Sequence, residues 1–72
     1  MAKKPKVALI ILTWNQKEMT QEQMKDVAKL DTSGLNAECL LVDNGSTDGT
    51  PEYFEDFKLP NMDFKYINTG AN

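Results

Sequence analysis

Short apolar runs along the chain are separated by polar stretches, and the spacing inside each run predicts its form. The first, Val7-Ala8-Leu9-Ile10-Ile11-Leu12, is unbroken and rich in branched residues. Its shortness predicts a strand, and its lack of alternation predicts burial on both faces, as in the centre of a parallel sheet. The period then changes. Met19, Met24, Val27, Ala28 and Leu30 fall at helical spacing, Asn15 is placed to cap with Glu18 three positions on, and Gly34 lies beyond. This predicts a first helix over residues 17–31, with Met19 and Met24 as core rather than as an adaptable binding surface.

Glu38-Cys39-Leu40-Leu41-Val42 is a second short run, and it stops at Asp43-Asn44-Gly45-Ser46-Thr47-Asp48-Gly49, made of turn-forming residues. A strand therefore runs into a polar loop. Thr50 offers a side-chain oxygen as a helix cap and Pro51 suits a first helical position, so a short helix is expected over residues 51–57. Pro60 closes that connection, Phe64-Lys65-Tyr66-Ile67 reads as a third strand, and Asn68-Thr69-Gly70-Ala71-Asn72 turns out of it. The order β-α-β-α-β predicts an α/β fold with a parallel sheet and right-handed crossovers, the half-unit of doubly wound folds. No repeat or linker divides residues 1–72, which are expected to form one domain.

Composition narrows the function. A chain of 72 residues, 40% apolar and 26% charged, is globular in character, and at this size it buries only about 60% of its unfolded surface. Net charge is −3 with no histidine, so the basic footprint of a nucleic-acid binder is missing. Lys3, Lys4 and Lys6 read as a solvated tail rather than a contact to anionic lipid. Cys39 is alone, which excludes an intramolecular disulfide and four-ligand cysteine–histidine metal sites and fits a reduced, cytoplasmic setting. The apolar runs fall far short of the ~20 residues that span a bilayer, so no membrane span and no export signal are expected.

In such sheets ligands bind beyond the carboxyl ends of the strands. Three polar segments are expected there: Thr13-Trp14-Asn15, Asp43 through Thr50, and Asn68 through Asn72. Trp14 can stack on a base, or simply pack. Asp43 and Asn44 offer a carboxylate acceptor and an amide suited to a base edge or a ribose hydroxyl, or else an Asx-turn that organises the loop. Gly45 and Gly49 permit positive φ or close approach of a ligand, and Ser46, Thr47 and Asp48 supply short side chains that bond back to the loop.

These segments carry a resemblance. Val7 through Leu12 followed by Thr13-Trp14-Asn15 resembles the opening strand and Thr-Tyr-Asn turn of family 2 glycosyltransferases, with Trp14 where tyrosine is usual. Leu41-Val42-Asp43-Asn44-Gly45-Ser46-Thr47-Asp48-Gly49-Thr50 is similar to the same family's Val-Asp-Asp/Asn-Gly-Ser-Thr-Asp-Gly-Thr signature, and Asn68 through Asn72 to its next, asparagine-rich turn. The resemblance implies a GT-A fold, a three-layer Rossmann-like parallel sheet of which these residues form the amino-terminal half. It also implies a nucleotide-diphosphate sugar donor, such as a UDP-sugar, and transfer of the sugar to an acceptor hydroxyl, usually with inversion and with a divalent metal, Mg or Mn.

Carried onto this chain, the resemblance places Thr13, Trp14 and Asn15 around the nucleoside, with Trp14 stacked on the base. Asp43 and Asn44 hold the base edge or ribose, Gly45 and Ser46 belong to the same nucleotide-binding set, and Gly70 and Asn72 lie nearby. The family's Asp-x-Asp metal motif and catalytic aspartate would follow residue 72. The 72-residue chain is therefore expected to hold neither a catalytic residue nor a metal ligand, and to transfer no sugar by itself. Its location would be the cytoplasm or the cytoplasmic membrane face. An uncovered sheet edge would favour weak self-association.

Two rival readings use the same residues. Asn44, Ser46, Asp48, Gly49, Glu52 and Glu55 fall at the spacing of a calcium-binding loop, although Pro51 and a preceding strand do not suit one. A non-catalytic α/β nucleotide-binding or receiver-like module would share the core and its acidic strand ends, but a receiver would need more chain, a phosphoacceptor aspartate at a third strand and a lysine beyond it.

Overall fold

The computed structural model describes residues 3–70, so Ala71 and the expected site residue Asn72 lie outside the described residues. Among those described, β1 (Lys6–Thr13), α1 (Lys17–Val27), β2 (Asn36–Asp43), α2 (Thr50–Phe54) and β3 (Asp63–Asn68) follow in the order expected. The strands form one parallel sheet in the order β1-β2-β3. Thr13 pairs with Asp43 and Asp43 with Asn68, so the three carboxyl ends are level.

Both crossovers step the same way across the sheet, and crossovers of one hand then place both helices on one face. Met24 and Val27 of α1 and Phe54 of α2 pack with Cys39 and Leu41 of β2, and Leu9, Ile11, Phe64 and Tyr66 border them. The opposite phase of the strands is open: Ile10 is 63% exposed and Leu12 70%. The described residues thus supply two layers of the three-layer arrangement. The central strand is β2, whose Cys39 and Leu41 are fully buried, whereas β1, expected at the centre, lies at an edge. Its unbroken apolar run recorded the character of both faces but not which of them the helices cover.

Helix boundaries shift for identifiable reasons. α1 ends at Val27, short of the expected residue 31, because the Asn61 side-chain amide donates to the carbonyls of Val27 and Leu30 and closes the helix from a distant loop. Leu30 (47%) lies beyond the helix end and is exposed; Met19 (59%) is exposed because it stands off the face formed by Thr20, Met24 and Val27, so only Met24 of the two helix methionines is core. Asn15 does not cap α1. It takes φ 50°, and the helix begins after Gln16 without a side-chain cap from that residue. α2 begins after Gly49, at φ 94°, so Thr50 is its first residue rather than its cap, and it ends at Phe54 instead of residue 57.

Candidate functional site at the strand ends

The carboxyl ends of the strands carry a buried polar row beneath the helices. Thr13, 4% exposed, shares a hydrogen bond with Thr20 of α1 at 2.8 Å. Asp43 is fully buried beside it. Its Oδ1 accepts from the Ser46 N–H at 3.0 Å and from the Ser46 hydroxyl at 2.6 Å, and its Oδ2 accepts from the Tyr66 hydroxyl at 2.5 Å. A buried carboxylate is tolerated only with such donors. Asp43 therefore fixes the loop that follows it, the organising role anticipated as an Asx-turn.

A second set of bonds ties the β1–α1 loop to the β2–α2 loop. The Asn15 N–H donates to Ser46 Oγ at 2.8 Å, and the Thr47 N–H donates to Asn15 Oδ1 at 2.7 Å. The Lys17 N–H donates to Asp48 Oδ2 at 2.9 Å, while Asp48 Oδ1 accepts from the Thr50 N–H at 3.1 Å. Ser46 is the bridge between the two sets, accepting from Asn15 and donating to Asp43. Gly45 turns the loop at φ 90°. Positive φ at Gly45 and Gly49 explains why glycine stands at both.

The side chains that face outward are fewer. Trp14 is 50% exposed, and with Leu12, Thr13, Gln16 and Asn44 it lines an open depression of about 260 Å³. Asn44 is exposed, and its Oδ1 accepts from the Thr69 hydroxyl at 3.1 Å. The Thr69 N–H donates to the Asp43 carbonyl at 2.8 Å, bringing the turn after β3 against the same loop. Gly70 is exposed at φ 70°, its N–H donating to Asn68 Oδ1. Among the described residues, the structure thus brings the three expected segments to one end of the sheet but divides their roles. Trp14 and Asn44 face the depression, Thr13, Asp43 and Ser46 are buried in the framework, and Asn15 is exposed yet bonded into the loop stitch. A depression of similar volume, about 290 Å³, lies at the opposite end beside Lys6, Asn36 and Asp63.

Thr20, Tyr66 and Asp48 belong to the framework but were not singled out from sequence as site residues. Tyr66 shares the phase of Phe64 and stands two positions before the end of β3, so a core-facing tyrosine there needs a hydroxyl partner, and that requirement was its signal. Asp48 was expected to bond within its own loop and also reaches Lys17.

Burial, then the hydrogen bond to Asp43 and its charge, push the Tyr66 phenol far above its ordinary value of 10.0. The Thr50 hydroxyl, with the Lys17 N–H, holds the Asp48 carboxyl below its ordinary value of 3.8, and burial raises the Cys39 thiol. Because the folded chain holds the Tyr66 proton more tightly than the unfolded chain does, the stability this residue confers is complete below pH 10 and is lost as pH rises toward the folded-state value. In an alkaline titration followed by phenolate absorbance, Tyr66 is expected to ionise only as the circular-dichroism signal of the fold is lost. Ionisation of Tyr66 near pH 10 with the fold intact would contradict its part-buried bond to Asp43.

Among the described residues, no group of three histidine, cysteine, aspartate or glutamate side chains stands where it could hold a metal ion. These residues therefore do not fit the divalent metal that the resemblance implies. The side chains of the calcium-loop spacing do not converge either, with Ser46 turned to Asp43 and Asp48 to Lys17 and Thr50.

A parallel sheet with polar, glycine-bearing loops gathered at its carboxyl ends defines an α/β protein of the kind that binds ligands there. The sequence model of glycosyl transferase family 2 matches residues 8–72, nearly the whole length, and the chain belongs to that family. Comparison with curated proteins and with solved structures gave no match. Among the described residues no helix is long and apolar enough to cross a membrane.

Proposed function

We propose that the depression beside Trp14 and Asn44 receives the nucleoside of a nucleotide-diphosphate sugar, with a uridine nucleotide as the donor to test first. The observation that carries this reading is the half-exposed indole of Trp14 at the end of β1, facing the same opening as the Asn44 amide. The indole offers a stacking face, worth about 1–3 kcal/mol per base in comparable sites. The Asn44 amide offers both a donor and an acceptor to a base edge or ribose hydroxyl. Asp43 acts through the loop it fixes, since its buried carboxylate serves Ser46 and Tyr66. Gly45 gives its backbone close approach to the ligand, and Gly70 lies on the turn that Thr69 ties to Asn44.

In the family's chemistry the sugar passes from the nucleotide diphosphate to an acceptor hydroxyl. A divalent metal, for which the described residues offer no ligand set, would stabilise the charge of the leaving diphosphate, and a base would remove the acceptor proton. The described residues hold the donor in that scheme. The 72-residue chain, in this reading a cytoplasmic hexosyltransferase's donor-binding part, binds nucleotide without turning it over.

The test is affinity for UDP by amide NMR or calorimetry, with Trp14→Ala as the variant. Loss of the stacking face is expected to weaken binding about tenfold or more, with little change in melting temperature, because Trp14 is half exposed. Equal affinity in the variant would remove Trp14 from the site. The open face that carries Ile10 and Leu12 also favours weak self-association. Leu12→Lys is expected to lower the concentration dependence seen in sedimentation velocity, and an unchanged profile would dismiss that contact.

A further inference from the structure

We infer that Asp48 is a positioning residue of the nucleotide site, acting by tying the turn that carries Trp14 to the loop that carries Asn44. The inference rests on the nucleotide-binding reading above and deepens it. Its ground is that one carboxylate serves the first turns of two different helices. Oδ1 accepts from the N–H and the hydroxyl of Thr50, the first residue of α2. Oδ2 accepts from the N–H of Lys17, the first residue of α1, 31 positions earlier in the chain. Each helix start carries N–H groups without intrahelical partners, and Asp48 supplies acceptors to both.

The neighbouring geometry agrees. The Lys17 side chain lies along Gly49, next to Asp48 in the chain. The bonds between Asn15 and both Ser46 and Thr47 join the two loops one step nearer the sheet. Trp14 precedes this stitched segment and Asn44 precedes the loop on the other side of it. A nucleoside that touches both side chains senses the spacing between the two loops, and such contacts lose affinity when their supports are loose. Asp43 and Ser46 are buried and cannot be altered without disturbing the fold. Asp48 is exposed, so its tie can be cut separately.

Two substitutions separate its two bonds. Asp48→Asn keeps an oxygen for Thr50 but leaves only one acceptor atom, so the α1 bond is lost while the α2 bond survives. Asp48→Ala loses both. Amide hydrogen exchange and a UDP titration are measured on the intact chain and on each variant, with thermal melting as the check on the fold. Asp48→Asn is expected to melt within a few degrees of the parent, to speed exchange at Lys17 and Asn15 while Thr50 stays protected, and to weaken UDP about fivefold.

A merely structural role would lower melting temperature without a separate loss of affinity. Unchanged UDP affinity in Asp48→Asn, or unchanged exchange at Lys17, would overturn the inference. Absence of UDP binding by the parent chain would overturn the nucleotide reading and with it the positioning role. The exchange result would still report independently whether Asp48 ties the loops.

Discussion

Phe54→Ala is expected to remove about 3–5 kcal/mol, roughly half of the chain's stability. Phe54 is fully buried and lies at the centre of an aromatic group, with ring centroids 4.8 Å from Tyr53, 5.2 Å from Phe57 and 6.1 Å from Phe64. Removing a buried phenylalanine ring costs about 3–5 kcal/mol through lost transfer free energy and the cavity left behind. A domain of this length has roughly 4–10 kcal/mol in total. The loss is aggravated because α2 has only five residues and cannot persist as an isolated helix. Phe54 is the side chain that fixes it to the sheet. Urea unfolding followed by circular dichroism measures the effect, and Phe54→Leu, which retains most of the apolar volume, should cost about 1.5 kcal/mol. A loss below about 1 kcal/mol for the alanine variant would mean that the aromatic group is not the core's centre.

Asp43→Ala is expected to cost about 3 kcal/mol, a large effect for a polar residue at the end of a strand. Its removal leaves the Tyr66 hydroxyl and both Ser46 donors without their acceptor inside the fold. Buried donors left unpaired carry a desolvation penalty of about 1–3 kcal/mol each, partly relieved where water enters the space. The account further requires that Asp43 and Tyr66 be coupled. In a double-mutant cycle with Tyr66→Phe, the two losses should fall short of additivity by about 1–2 kcal/mol, since either substitution breaks the same bond. Additive losses would show that the hydroxyl and the carboxylate do not act together. Loosening the loop should also weaken nucleotide binding, because Asn44 and Gly45 follow directly from Asp43 in the chain.

The strands and their order along the chain were legible because short branched runs ending in turn residues admit few other readings. Asp43 through Gly49 was legible as a polar loop at a strand end for the same reason. Features that depend on distant partners were not. The stop of α1 at Val27 is imposed by Asn61, and nothing between Ala28 and Gly34 announces it. Asn15 has the composition of a cap, yet its side chain accepts from Thr47 in another loop. The apolar run of β1 gives no sign of which phase the helices cover, so its edge position emerged only with the sheet order. The most consequential gap concerned Asp43. Sequence supplied its residue type and its place at the strand end, but its burial depends on Tyr66, and that pairing requires the register of β2 against β3.

The arrangement also explains how a small chain can present an ordered opening. In the framework, Ser46 and Tyr66 satisfy the Asp43 carboxylate, and Thr13 pairs with Thr20 of α1. This leaves Trp14 and Asn44 displayed on loops that are held from behind. Burial of the support and exposure of the contacts are the separation that a preformed binding rim needs.

The most direct test of the nucleotide site is an amide NMR titration of the intact chain with UDP. The account predicts saturable shifts at the Trp14 indole and at the amides of Thr13, Trp14, Asn44 and Gly45, with Lys6, Asn36 and Asp63 at the opposite end of the sheet unmoved. Silence at the Trp14 and Asn44 positions up to millimolar UDP, or shifts confined to the opposite end, would contradict it.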